Sequence, residues 1–378
     1  MRRLLALVGA VVLVDTMFYA ALTPLLPHYV AELGLSKSGA GVLAGAYAVG
    51  ALAGGIPSGL AASWLGVKPT MLLGLTLMVA TTALFGFAHH LWLLDLARFL
   101  QGFASSCSWT AGLAWLVADA PSNARGRLIG SAMGAAIFGA MLGPVIGGLA
   151  SLAGTGRTFG GVACVGVLVA IWALSTPSIR EPQRQPMSFL FRALHNRRVL
   201  ASIWFVAIPA LAFGTINVLA PLRLHALGLG AVAIGAVWLG GAGLEAAAAP
   251  FVGHLSDRFG RLAPLRASLV GAGVGFALFP ALDGSWWLFV PAIIACAFAL
   301  GAFWAPAMSM ASDEAEKTGL DYAFGFALIN LAWAPAQVGG AVGGGALAQL
   351  TSDTVPYLTL AALCALTLVA LWRSRSSS

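Results

Sequence analysis

Residues 238–261 read WLGGAGLEAAAAPFVGHLSDRFGR: an apolar run with one carboxylate, Glu245, and then a charged stretch from Gly253 to Arg261. With the residues before it, the apolar part is long enough to cross bilayer hydrocarbon, which takes about 20 residues. An ionised acid at that depth costs roughly 3 kcal/mol or more, so Glu245 reads as a functional group by default. The charged stretch reads as a short loop that returns the chain to water.

The same pattern recurs in both directions from this stretch. A chain of 378 residues that is 60% hydrophobic and 9% charged, with a mean hydropathy of +0.91, is excluded as a soluble multidomain protein. It is expected to be an all-α polytopic membrane protein. Twelve apolar runs are long enough to span: 4–27, 40–62, 69–88, 91–118, 128–152, 159–174, 200–221, 231–252, 264–282, 286–308, 322–350 and 355–372. The first begins like a signal peptide, but Asp15 interrupts its core, the run continues to Pro27 and no small-residue cleavage site follows. The longest connection divides the chain into a six-helix bundle over 1–175, a basic linker over 176–199 and a second six-helix bundle over 200–378.

With the N-terminus in the cytoplasm, sixteen Lys and Arg residues fall inside, five of them in the linker. Only Lys37, Arg157 and Arg223 fall outside, and Arg98 lies within the membrane. By the positive-inside rule both termini are cytoplasmic, and the net charge of +7 reflects topology in a lipid bilayer rather than a nucleic-acid surface. Trp92, Trp286 and Trp287 stand at outer edges, as interfacial aromatics do. Cys107, Cys164, Cys296 and Cys364 lie in different apolar runs without metal-ligand spacing and read as four buried thiols. No HExxH, GxSxG or P-loop pattern is present and His89-His90 reads as a solvated pair, so neither enzyme chemistry, a metal nor a cofactor is expected.

The halves repeat each other at an offset of 194 residues: Gly59–Lys68 aligns with Gly253–Leu262, and Gly34-Leu35 with Gly228-Leu229. Gly143-Pro144 through Gly147-Gly148 in the fifth run has a looser echo in Pro335 through Gly339-Gly340 in the eleventh. Weak internal symmetry of this kind is expected of secondary transporters.

Three motifs carry a family resemblance. They are the loop Gly253-x-Leu-Ser-Asp257-Arg258-Phe-Gly260-Arg261, the fourth-run Arg98-Phe-Leu-Gln101-Gly102 followed by Asp119 and Arg125-Gly-Arg127, and the fifth-run Gly130-x8-Gly139-x3-Gly143-Pro144-x2-Gly147-Gly148. With them the chain resembles the major facilitator superfamily, and within it the twelve-span drug:proton antiporters. The resemblance implies two pseudo-symmetric six-helix bundles, a monomer, and export of a small molecule against protons across the inner membrane by alternating access. It also implies a cytoplasmic latch made of Gly253, Asp257, Arg258, Gly260 and Arg261 with Asp119 and Arg125. The first-half copy of that latch is spoiled, since Ser63, Trp64 and Val67 stand where charged residues are expected.

The intramembrane polar residues supply the candidate site. Asp15 lies about eleven residues into the first span, near mid-membrane, with Phe18 and Tyr19 three and four residues on. An acid beside two aromatics suits a cationic or aromatic substrate; a packing hydrogen bond is the plainer account. Glu245 shares a helical face with Trp238 and Gly241, and an interhelical hydrogen bond toward the glycine-rich fifth span is its plainer account. Asp15 and Glu245 are the expected proton-coupling acids. Arg98 either pairs with Asp95 one turn before it or, as the resemblance implies, biases the protonation of Asp15; Gln101 extends its polar stripe. Asn217, Asn330, Trp333 and Gln337 read as cavity lining from the second half. Gly139, Gly143, Gly147 and Gly148 with Pro144 form a conformational hinge expected to pack on the eighth span. A metabolite or sugar exporter, an uptake symporter and a non-transporting sensor are the alternatives.

Overall fold

A computed structural model of the chain describes residues 2–118, 125–177, 188, 195–260, 262–319 and 322–373. Among them the regular elements are helices: α1 (Arg2–Leu33), α2 (Lys37–Trp64), α3 (Val67–Phe87), α4 (Leu91–Ala118), α5 (Arg125–Ala153), α6 (Thr155–Ser175), α7 (Arg197–Ala226), α8 (Ala231–Phe259), α9 (Leu262–Leu282), α10 (Trp286–Lys317), α11 and α12 (Thr354–Arg373). The eleventh comprises Tyr322–Val338, a π-helical turn over Gly339–Gly343, and Gly344–Leu350. Among the described residues ten helices are long and apolar enough to cross a membrane. The twelve are completed by α4, which carries Asp95, Arg98 and Gln101, and by α11, divided at its π turn.

The breaks between helices follow the repeat. Gly34 and Gly228 end α1 and α7 with φ of 63° and 92°, and Gly66 and Gly260 end α2 and α8 with φ of 101° and 80°. These left-handed conformations strain any residue with a Cβ, so the same punctuation stands at the same repeat positions. The expected loop at Gly253–Arg261 is corrected by this geometry: α8 continues as helix to Phe259, and the chain turns only at Gly260. Nothing in HLSDRF breaks a helix, and Arg258 stands in the last turn, where the helix dipole favours a cation.

In lipid, helices associate through close contact rather than through a hydrophobic drive, so small residues mark the crossings. At the α2–α4 crossing, a Cβ on Gly50 would collide with the Phe99 carbonyl, and one on Gly102 with the Tyr47 carbonyl. The glycine stripe of α5 has a partner other than the one expected. Gly139, Gly143 and Gly147 lie against the backbone of α1 at Leu13, Met17 and Ala21, and only Gly148, beside Val232, and Pro144, beside Gly235, meet α8. Likewise α11 rides on α7, with Gly340 against the Leu211 carbonyl and Gly344 against Thr215.

Eight helices, all but α3, α6, α9 and α12, surround a central cavity. The other four stand outside it, α3 against α4 and α6, and α9 against α10 and α12. Trp92, Trp286 and Trp287 are exposed at helix starts. Cys107, Cys296 and Cys364 are buried, whereas Cys164 is exposed on the outer face of α6, a correction to the four buried thiols.

Candidate functional site

The cavity encloses about 300 Å³ where the first six helices meet the last six. A wider groove of about 600 Å³ lies near the α8–α9 turn and the end of α10, lined by Phe259, Arg266, Met310, Asp313 and Glu314 among others. All of its lining comes from the second half, so it is not placed where both bundles could act on one ligand. The central cavity is.

Asp15 sits on the first-half wall and is 3% exposed. Its carboxylate is saturated with donors: Ser105 Oγ at 2.8 Å, the Trp109 indole N–H, and the Tyr47 hydroxyl at 3.2 and 3.3 Å. Ser105 and Trp109 reach it together because they stand one turn apart on one face of α4. Arg98 does not touch Asp15. Its guanidinium lies over the Tyr47 ring, 4.9 Å from the centroid, and donates to Gln101 Oε1 at 3.1 Å and to the Phe18 carbonyl at 3.4 Å. The tyrosine whose hydroxyl bonds the acid therefore lies between guanidinium and carboxylate. Among the described residues Arg98 and Asp95 form no ion pair, and Asp95 Oδ1 is buried without a hydrogen-bond partner.

Tyr19, Asn217, Trp238, Glu245, Asn330, Trp333 and Gln337 all line the cavity. Phe18, Asp95, Arg98 and Gln101 do not. Of the two aromatics that follow Asp15, the one four residues on shares its opening, while Phe18 is 2% exposed in the core. The rings of Tyr19 and Tyr47 stand 5.0 Å apart, and that of Trp333 is 5.8 Å from Tyr19 and 6.3 Å from Tyr47, an aromatic cluster that joins α1, α2 and α11. Polar bonds also cross between the halves: the Gln337 amide donates to the Tyr19 hydroxyl, and the Asn330 amide reaches Thr110 Oγ1 at 3.5 Å. Trp238 donates to Asn217 Oδ1 at 2.8 Å.

Glu245 is built differently. Its side chain fills the place where a Cβ on Gly301 of α10 would stand, with no hydrogen-bond donor to it among the described residues. It does not lie against Gly139, Gly143 or Gly147, which are spent on α1. Among the described residues no lysine, arginine or histidine lines the cavity.

Of the latch, Asp119 and Arg261 lie outside the described residues, as do the side chains of Arg125 and Asp257. Gly253 lies in the last turns of α8, and Arg258 lies over the Phe259 ring at 5.2 Å. At the end of the bundle opposite the termini, Lys37 pairs with Asp353, and the Ser38 amide donates to Gln349 Oε1 at 3.0 Å.

Tyr47, Trp109 and Gly301 were not anticipated from the sequence. Trp109 could have been found by extending the stripe Arg98, Gln101, Ser105 by one more turn. Tyr47 and Gly301 carry no local signal.

A model of the Major Facilitator Superfamily matches residues 8–244 and 210–378. The chain belongs to this superfamily. Among its members, a probable vesicular acetylcholine transporter-B of Danio rerio is 32% identical over 174 residues, 43% of this chain and 35% of that protein. The quinolone resistance protein NorA of Staphylococcus aureus (strain MRSA252) is 30% identical over 198 residues, 50% of each. The chain thus spans about a fifth to a half of the length of the curated relatives it matches. A crystal structure of a POT family transporter in complex with a thioalcohol-conjugated peptide superposes with a TM-score of 0.81 at 13% identity, over 99% of this chain and 96% of that one. At that identity the likeness is one of fold.

Proposed function

We propose that this superfamily member exports small lipophilic or cationic compounds in exchange for protons, by alternating exposure of the central cavity to the two sides of the membrane. One observation carries the reading: the cavity joins both halves, has aromatic walls, and among its described lining residues holds two carboxyls and no cationic side chain. Such a site attracts a cation or a proton and, when both compete, lets one expel the other. The printed names of two relatives, a quinolone resistance protein and a probable acetylcholine transporter, agree with small organic ligands. The distribution of Lys and Arg supports an orientation with both termini cytoplasmic.

In this reading Asp15 and Glu245 are the coupling acids, the glycine stripe of α5 lets α1 slide while α8 follows on its other side, and the charged end of α8 with Asp119 and Arg125 acts as the latch. The test is proton release on adding a lipophilic cation to the detergent-purified chain in weak buffer. Release is expected from the wild type and none from a variant carrying both Asp15→Asn and Glu245→Gln. A wild type that binds the cation without releasing protons, or a double variant that still releases them, overturns the reading.

A further inference from the structure

The two carboxyls of the cavity stand in opposite chemical situations. Asp15 accepts hydrogen bonds from Ser105, Trp109 and Tyr47, all on its own half, and is 3% exposed. A substrate ammonium could reach it only by displacing donors that would then be left buried and unpaired, at a cost of about 1–3 kcal/mol each. Glu245 has no donor among the described residues and lies across bare backbone at Gly301. The groups around it, Trp238 and Gly241 on its own helix and Ile294 and Ala297 on α10, supply no charge. The Trp238 indole N–H is already committed to Asn217. Glu245 is half-buried on the cavity wall, and a carboxylate at membrane depth without a partner is destabilised, so that a bound cation is the partner that would relieve it. Trp238 also offers the aromatic surface that an ammonium or its apolar body seeks.

Resting on the exchange reading above, we infer that Glu245 is the seat of the substrate's cationic group, whereas Asp15 carries the proton within its own hydrogen-bond network and does not contact the substrate. The substrate class is then an organic monocation with an aromatic or aliphatic body: its charge meets Glu245 and its body lies along Trp238 toward Trp333 and Tyr19. Within the coupled pair, the substrate's charge then belongs to the second half and the proton to the first. The Tyr19, Tyr47 and Trp333 cluster joins the two, since Tyr47 bonds Asp15 and Trp333 faces the same cavity as Glu245.

The full-length chain in nanodiscs can be titrated with benzyltrimethylammonium and with neopentylbenzene, its uncharged carbon isostere, while proton release is recorded. The wild type is expected to prefer the cation and to release protons on binding it. Glu245→Gln is expected to lose that preference by tenfold or more and to bind the isostere as before. Gly301→Ala, which presses on the Glu245 side chain without altering any charge, is expected to do the same in weaker form and covers the case in which the first variant does not fold. Asp15→Asn, with Ser105→Ala as its milder counterpart, is expected to lose proton release with the preference for the cation held within twofold. The division of roles is overturned if Asp15→Asn abolishes the preference, or if Glu245→Gln keeps the preference and loses the release. A wild type that binds the cation and releases no proton overturns the exchange reading instead, and a wild type without preference overturns the assignment of the substrate's charge to Glu245.

Discussion

The crossing of α2 with α4 and that of α8 with α10 stand at corresponding places in the repeat, and they are packed in different ways. In the first half, Gly50 meets the Phe99 carbonyl and Gly102 the Tyr47 carbonyl, so backbone lies on backbone, and Ser106 Oγ donates to the Ala51 carbonyl at 2.8 Å. At the offset of 194 residues, Ala51 becomes Glu245 and Cys107 becomes Gly301. There the side chain on one helix has grown and that on the other has vanished, so a carboxyl occupies the crossing and opens onto the cavity. One bundle keeps a tight crossing and hangs its acid in a dense network of donors. The other gives up close contact and leaves its acid bare. Sequence repetition therefore preserves the scaffold, while the chemistry of the site is placed asymmetrically.

This contrast can be broken most forcefully at the tight crossing. Gly50→Val and Gly102→Val each drive a side chain into a carbonyl, an overpacking that costs about 3 kcal/mol or more where backbone cannot yield. Both are expected to lower the melting temperature sharply and to leave little monodisperse protein on size exclusion. Leu244→Ala and Cys296→Ala, at the corresponding positions of the second half, are expected to lower it by less than half as much; equal losses would show that the two crossings are packed alike.

Next in size is the network around Asp15. Trp109→Phe removes one donor from a buried acid, an effect of about 1.5–3 kcal/mol for a hydrogen bond to a charged group. Glu245→Gln, which removes no such bond, is expected to leave the melting temperature within roughly 0.5 kcal/mol of wild type, the range of substitutions away from such features. A Glu245→Gln chain as destabilised as Trp109→Phe would mean that the second acid also sits in a network.

Smaller still is the response of binding to Gly301→Ala. A loss of about fivefold in cation affinity, or about 1 kcal/mol, is expected in equilibrium titration with the fold intact, while Cys107→Ala at the matching first-half position is expected to change affinity by less than twofold.

The smallest effect belongs to the Lys37–Asp353 pair that joins the halves at the far end of the bundle, with the lysine side chain 40% exposed. Lys37→Met is expected to cost no more than about 1 kcal/mol, and high salt should abolish the difference. A larger, salt-resistant loss would make that end of the interface, rather than the crossings, the principal bond between the bundles.

Much of this molecule was legible from local pattern. Spans follow from apolar length, because lipid leaves a chain no option but helix. The repeat was legible in Gly34 and Gly228 and in Gly66 and Gly260, where the chain must turn left-handed. Asp15 and Glu245 announced themselves because an acid in hydrocarbon is rare and costly. Gly139, Gly143 and Gly147 announced a close contact, but the partner named for them was α8 and the partner found is α1, since a glycine stripe states that something approaches and not what.

What the sequence determined by itself is the set of helices, the order in which they are joined, and which few side chains the membrane makes expensive; each depends only on residues near one another in the chain. Tertiary structure alone decided that Tyr47 would lie between Arg98 and Asp15, that Asp15 would be saturated and Glu245 left bare, and that the space for Glu245 would come from a missing side chain at Gly301, 56 residues away. Hydrogen-bond partners and vacant space are properties of helix faces brought together across the bundle, and no periodicity within a single helix encodes which face it will meet.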